Sequence, residues 1–250
     1  MKNVLKVENI EIRRSKAFCL RIRKMRVNGG DILCVAGPNG CGKTTFIECL
    51  VGALTASSVD ITINGQTLSQ NLRATKALIG FVPDDENWFI KELCAKEYFD
   101  LLSDVYVKVG ISHEKMKYRV QELSKSLRFT AFEQQLESLS HGNKKKVQLI
   151  AGIMHEPRVI VIDELRNGLD PLAIVAAEKI VKSEAARGAC VVAATHDLWW
   201  AERIADETML LIDGSVAIRQ KTTDILDTYG SLENLFIQLA DPEAPSYAPL

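Results

Sequence analysis

The stretch GPNGCGKTT, Gly37–Thr45, sets three glycines around a lysine and two threonines. Its spacing is G-x-x-x-x-G-K-[ST], a pattern that acts on polyphosphates when it joins a strand to a helix. Here it follows the apolar run DILCVAG and opens the helical pattern KTTFIECLVGAL, so that context is met. Gly37, Gly40 and Gly42, with Pro38, Asn39 and Cys41 between them, let backbone N–H groups curl around an anion. The helix N-terminus adds partial positive charge. Lys43 then reaches the β- and γ-phosphates, Thr44 offers its hydroxyl to Mg²⁺, and Thr45 stands where a further phosphate contact forms. The Cys41 side chain reads as tolerated filler in the loop; if its thiol instead faces phosphate, bound nucleotide slows its alkylation.

Such a site needs a carboxylate at the end of a neighbouring strand, and VIVIDE supplies two. Asp163 holds the Mg²⁺ through water, and Glu164 polarises the attacking water. Three further motifs stand at defined distances from this pair. LSHGNKKKVQL, Leu139–Leu149, precedes it, and NGLD and ATHD follow it. Three consecutive lysines at a helix start oppose the helix dipole, so they need a reason. Successive helical residues point about 100° apart. At most one or two of the three therefore face nucleotide or an opposing subunit, and the rest are solvated.

The elements that position these residues come from the apolar pattern. NVLKVENIEI and AFCLRIRKMRV alternate as strands, and DILCVAG, ALIGFVP, RVIVID, ACVVAAT and ETMLLID are apolar runs of buried strands. From Trp88 to Met154 the pattern is helical: KELCAKEYFDLLSDVY, SHEKMKYRVQELSKSL and KKKVQLIAGIMH. The alternation of strands and helices on either side predicts an α/β fold with a mostly parallel sheet covered on both faces. TTDILDTYGSLENLFIQLA reads as a helical extension, and DPEAPSYAPL as a disordered tail.

Composition agrees with a globular protein and excludes some classes. In 250 residues, 31 Lys and Arg balance 32 Asp and Glu for a net charge of −1, against the basic excess of a nucleic-acid binder. No stretch reaches the roughly 18 apolar residues of a membrane span. MKNVLKVENIEIRRSK has no apolar core of a secretory signal. The six cysteines show no C-x-x-C spacing and read as reduced core thiols.

The P-loop, L-S-x-G, the strand ending in Asp-Glu, NGLD and ATHD together resemble the ATP-binding subunit of an ABC transporter, from about Val4 to Ser215. The resemblance implies a P-loop NTPase (RecA-like) core with an N-terminal antiparallel β subdomain, at 1–87 and 155–220. It also implies an inserted helical signature subdomain at 88–154, leaving 221–250 as a C-terminal extension and tail. It further implies ATP and Mg²⁺, a head-to-tail pair of cassettes in a homo- or heterodimer, and a separate transmembrane permease. The permease would hold the protein at the inner face of the cell membrane, and no nucleic acid is expected. Ser140, His141, Gly142 and Asn143 are then the signature that meets the partner's ATP. Asp170 is the acid of the loop crossing the interface, and His196 is the switch histidine beside the γ-phosphate. Glu164, His196 and Lys43 carry catalysis.

The pattern is departed from in places. Asp84 stands where the family has a Gln that ligates Mg²⁺, and a carboxylate serves that role as well. Arg14 lies near the position of the aromatic that stacks on adenine, whereas Phe18 is too late in the chain. Asn143 replaces a Gln, and Leu165 a Pro. A Ser-His-Gly signature with an acid after VP resembles exporter-type ATPases, many of which handle peptides or antibiotics. Trp88, Phe89, Leu93, Tyr98 and Phe99 are expected mostly in the core, with one or two lining a groove for a helix of the membrane subunit. A soluble ABC-type ATPase acting in assembly or regulation without a membrane partner is the alternative. A P-loop kinase would leave Ser140, Asp170 and His196 without roles.

Overall fold

The computed structural model describes residues 3–15, 18–54, 59–68, 72–85 and 89–240. Trp88 and the tail DPEAPSYAPL lie outside the described residues. The first half runs β1 (Asn3–Arg13), β2 (Cys19–Asn28), β3 (Ile32–Ala36), α1 (Lys43–Leu50), β4 (Val59–Ile63), β5 (Gln66–Thr67), α2 (Leu72–Lys76) and β6 (Ile79–Val82). Three helices follow: α3 (Ala95–Val107), α4 (His113–Ser126) and α5 (His141–Ile153). The chain then alternates through β7 (Val159–Asp163), α6 (Pro171–Ala186), β8 (Cys190–Thr195), α7 (Leu198–Ile204) and β9 (Glu207–Ile212). It ends in β10 (Ser215–Lys221), α8 (Thr222–Tyr229) and α9 (Leu232–Ala240).

The strands form one sheet in the order β5-β4-β1-β2-β10-β9-β3-β8-β7-β6. From β9 to β6 every pairing is parallel, with Val35 opposite Ala194 and Val161 opposite Val192. From β5 to β2 the pairings are antiparallel, and a single bridge, Ser215 to Arg21, joins the two regions. Side chains alternate along each strand, so the parallel strands divide between two cores. Ile32, Cys34, Ile160, Ile162, Val191 and Ala193 face one core, which they share with Phe99, Met116, Leu123 and Val147 of α3–α5. Leu33, Val35, Val159, Val161 and Val192 face the other, with Phe46 and Leu50 of α1 and Leu5, Ile10 and Leu20 of the antiparallel strands. That double burial is why these strands read as continuous apolar runs.

α5 lies close against β6. A Cβ on Gly152 would come within 2.6 Å of the Phe81 carbonyl, so only glycine permits this approach. The contact sets the signature helix beside the loop that carries Asp84. At the far end of α5, His155 stacks on Tyr106 at 4.0 Å and its Nε2 meets the Ile79 carbonyl at 3.1 Å. Burial pulls its pKa down to about 4. The folded state therefore favours the neutral ring, and its contribution is whole above the unfolded pKa near 6.5. That contribution falls away as pH drops from there to about 4, by up to roughly 3 kcal/mol. Denaturant melts at pH 7 and pH 5 are expected to show wild type losing more stability than His155→Gln. Equal losses would refute the assignment.

The C-terminal extension is two helices broken at Gly230, which takes φ 78°. Leu232 and Leu235 enter the core, and the Glu202 carboxylate of α7 accepts the Leu232 N–H at 2.6 Å. This segment is part of the packed body.

Candidate active site

The P-loop leaves β3 and enters α1 through Gly40 and Gly42, whose φ values of 81° and 111° favour glycine. A cleft of about 510 Å³ opens above it. Asn39, Gly40, Gly42, Lys43, Thr44 and Thr45 border this cleft on one side. Asp84, Asp163, Glu164, Asn167 and His196 border it on another, and Arg14 and Phe18 close it. Residues read separately from four motifs thus meet at the carboxyl ends of β3, β6, β7 and β8. The Lys43 ammonium, largely buried, donates to the Gly37 and Pro38 carbonyls at 2.8 and 3.1 Å.

Three expectations need correction. Gly37, Pro38 and Cys41 do not border the cleft, and the Cys41 thiol is buried in the core beneath the loop, so its alkylation does not report on phosphate. Burial raises its pKa as well. Phe18 is not too late in the chain. The turn after β1 folds back, with the Arg14 and Ser15 N–H groups on the Phe18 carbonyl, and brings the Phe18 ring against Gly42. Arg14 also borders the cleft, but its guanidinium pairs with Glu48 of α1. The lysine run is the third. Lys144 and Lys146 are half-buried, while Lys145 is 2% exposed and turned into its own chain.

Glu164 sits at the edge of the strand in the left-handed region, φ 46°. This turns its carboxylate onto the end of β8. Oε1 accepts the His196 backbone N–H at 3.0 Å and lies 2.8 Å from His196 Nδ1, and Oε2 accepts the Thr195 hydroxyl at 3.1 Å. Leu165, in place of proline, is buried in the core. The Asp163 carboxyl is pushed up to about 6, first by burial and then by the charges of Glu164 and Asp84. Asn167 donates to Asp84 Oδ1 at 2.9 Å, and Arg166 pairs with Asp197, so the loop after Glu164 ties both flanking loops together.

The signature stands apart. Ser140 is exposed and caps α5, its hydroxyl accepting the Asn143 N–H at 3.3 Å. Neither it nor His141, Gly142 or Asn143 borders the nucleotide cleft. Gly142 lies instead against the Gly168 carbonyl of NGLD, where a Cβ would come within 2.7 Å. Asp170 is an exposed cap of α6, accepting the Ala173 N–H at 2.9 Å, which holds its pKa low. Signature and the Gly168 end of the NGLD loop therefore form one surface beside the cleft, and Asn167 at the start of that loop still borders the cleft itself.

Sequence reasoning set Phe18 aside, named Asn167 only within its loop, and gave Lys145 no role apart from its neighbours. For Lys145 a signal existed. Lys145, Gln148 and Gly152 recur at i, i+3 and i+7, the spacing of one helix face.

The family model for ABC transporters matches residues 20–167. The chain belongs to the ABC transporter family. As a member it is an ATP-binding cassette and an ATPase. The cassette is 30% identical over 222 residues to the ABC-type transporter ATP-binding protein EcsA of Bacillus subtilis, spanning 86% of this chain and 87% of that protein. It is 27% identical over 207 residues to the uncharacterized ABC transporter ATP-binding protein YthP of the same organism, spanning 82% of this chain and 81% of the relative. A solved ATP-binding subunit of an ABC transporter superposes with a TM-score of 0.87 at 28% identity, over 95% of this chain and 100% of that one. The cassette MJ0796, solved as a dimer, shares the fold with a TM-score of 0.76 at 21% identity, over 87% and 98%.

Proposed function

We propose that this cassette works as a head-to-tail pair, hydrolysing ATP to drive a separate membrane permease. The observation that carries the reading is the separation of Ser140–Asn143 from the cleft of their own chain. A nucleotide held by Lys43 and the P-loop amides then lacks its second set of donors until another cassette supplies them. A helix N-terminus capped by Ser140 is suited to an anion. Catalysis is mainly positioning and charge stabilisation. Lys43 and the loop N–H groups orient the γ-phosphate. Glu164 takes the proton of the attacking water, its carboxylate held by His196 and Thr195.

The residues present fit Mg²⁺. The Thr44 hydroxyl and the Asp84 and Asp163 carboxylates are hard oxygen donors on one cleft. Among the described residues no three His, Cys, Asp or Glu side chains group to hold an ion, which suits one that arrives with phosphates. When bound, Mg²⁺ supplies positive charge to the phosphate oxygens. Phe18, whose ring lies against the P-loop, suits the adenine side of the cleft better than Arg14, which is paired.

A groove of about 170 Å³ between β6, α3 and α5 supports a membrane partner. Phe81, Phe89, Tyr98 and Leu102 line it, and it includes Pro83, the neighbour of Asp84. An apolar side chain of an amphipathic permease helix would seat in a groove of this size. No helix among the described residues is long and apolar enough to cross a membrane. Peptide or drug export is the cargo class we favour, from the Ser-His-Gly signature. Purification with the permease, followed by cargo-stimulated ATPase assays, tests this. Phe89→Ala is expected to keep basal ATPase and lose most of the stimulation. Stimulation equal to wild type would argue against the groove, and the absence of any membrane partner would favour a soluble assembly ATPase.

A further inference from the structure

Lys145 is among the largest fully buried side chains of the protein. Its ammonium donates to the Pro83 carbonyl at 2.8 Å and to the Asp163 carbonyl at 3.0 Å, and lies 3.7 Å from Asp84 Oδ1. Pro83 follows β6 and Asp163 ends β7, two parallel neighbours in which Val82 stands opposite Ile162. One side chain of the signature helix thus closes the carboxyl ends of two adjacent strands. Its three N–H donors have three oxygens to meet. One turn further on, Gln148 Nε2 donates to the Asp85 carbonyl at 2.9 Å, so α5 grips the Asp84 loop at two points.

Burying an ammonium is costly, and a hydrophobic side chain would pack here without that cost. The charge has a counterpart. Asp84, Asp163 and Glu164 border one cleft, and their like charges repel. Where an uncharged amide stands at the position of Asp84, no counter-charge is needed. An aspartate there adds a third negative charge to this edge, which the Lys145 ammonium 3.7 Å from its Oδ1 offsets.

We propose that Lys145 is a positioning residue of the ATPase site, an internal counter-cation that holds Asp84 beside Asp163 and so sets the metal-binding edge of the cleft. The proposal rests on the reading of Asp84 and Asp163 as that edge. It gives one rigid helix two duties. The tip of α5 presents Ser140 outward, and its second turn clasps the metal edge of its own chain.

The test is a double-mutant cycle on the full-length protein with Lys145→Gln, Asp84→Gln and the pair. Glutamine keeps N–H donors near the two carbonyls and removes the charge. Lys145→Gln is expected to lower kcat about tenfold with KM for ATP within about twofold, as the coupling between contacting charges allows. Binding of Mn²⁺ with ATP, read by electron paramagnetic resonance in the Glu164→Gln background, is expected to weaken severalfold. In the Asp84→Gln background the same lysine change is expected to cost less than about threefold in both readouts. Equal losses in the two backgrounds, or no loss in either, would overturn the proposal. If Lys145→Gln alone does not fold, the double variant decides: activity near that of Asp84→Gln supports the counter-charge, and an unfolded double variant refutes it. Asp84→Ala separates the underlying reading. Undisturbed Mn²⁺ binding in that variant removes Asp84 from the metal edge, whereas weakened binding without coupling removes only Lys145.

Discussion

Glu164→Gln is expected to lower ATP turnover by about 10²–10⁴, the loss that follows removal of a general base. The carboxylate is held by the His196 N–H, His196 Nδ1 and the Thr195 hydroxyl. An amide of the same shape keeps one acceptor oxygen but turns an NH₂ toward one of these donors, and it takes no proton at neutral pH. Binding of ATP depends on Lys43 and the P-loop N–H groups, which the substitution does not touch. The variant is therefore expected to bind ATP with affinity near that of wild type and to accumulate as an ATP-bound dimer. Single-turnover kinetics and light scattering with and without ATP read the two halves separately. Wild-type turnover would remove Glu164 from its role, and a monomer in saturating ATP would remove the paired site.

The second large effect tests the division of the site between chains. Lys43→Ala leaves a good signature and a disabled P-loop, and Ser140→Arg leaves the reverse. Each variant alone is expected to lose ATPase activity nearly completely. In a head-to-tail dimer built from one of each, one site combines both disabled halves and the other combines both intact halves. Random pairing in an equal mixture makes half the dimers mixed, so activity returns to about a quarter of wild type if a symmetric pair has independent sites. No recovery on mixing would mean that each chain completes its own site or pairs with a different cassette. The geometry argues against the first, because Ser140 does not border the cleft of its own chain.

Most residues of the cleft were legible because they lie in motifs of short spacing. A strand, six residues and a helix suffice to build a phosphate loop, so Gly37–Thr45 declared itself. The same holds for a carboxylate ending a buried strand, as in Asp163 and Glu164. The β–α alternation and the parallel sheet followed from apolar runs that only a doubly covered strand explains. Departures were harder to read. Phe18 was discounted on its distance along the chain from the expected position, and a turn of a few residues cancelled that distance. Cys41 was placed by its membership of the loop, but its side chain points into the core while its neighbours line the cleft.

What the amino-acid sequence determined by itself was the inventory: a phosphate loop, two acids at a strand end, a signature, a histidine after a strand, and the order of elements carrying them. Tertiary structure decided which of these meet. It gathered Lys43, Asp84, Asp163, Glu164 and His196 around one cleft and left Ser140 and Asp170 on another face. It also turned one lysine of three identical neighbours inward to Pro83, Asp163 and Asp84. The reason is geometric. Local spacing sets which way a residue points on its own element, while the oxygens that Lys145 meets come from strand ends far apart in the chain. Only the packing of α5 on β6, through Gly80 and Gly152, puts them within reach.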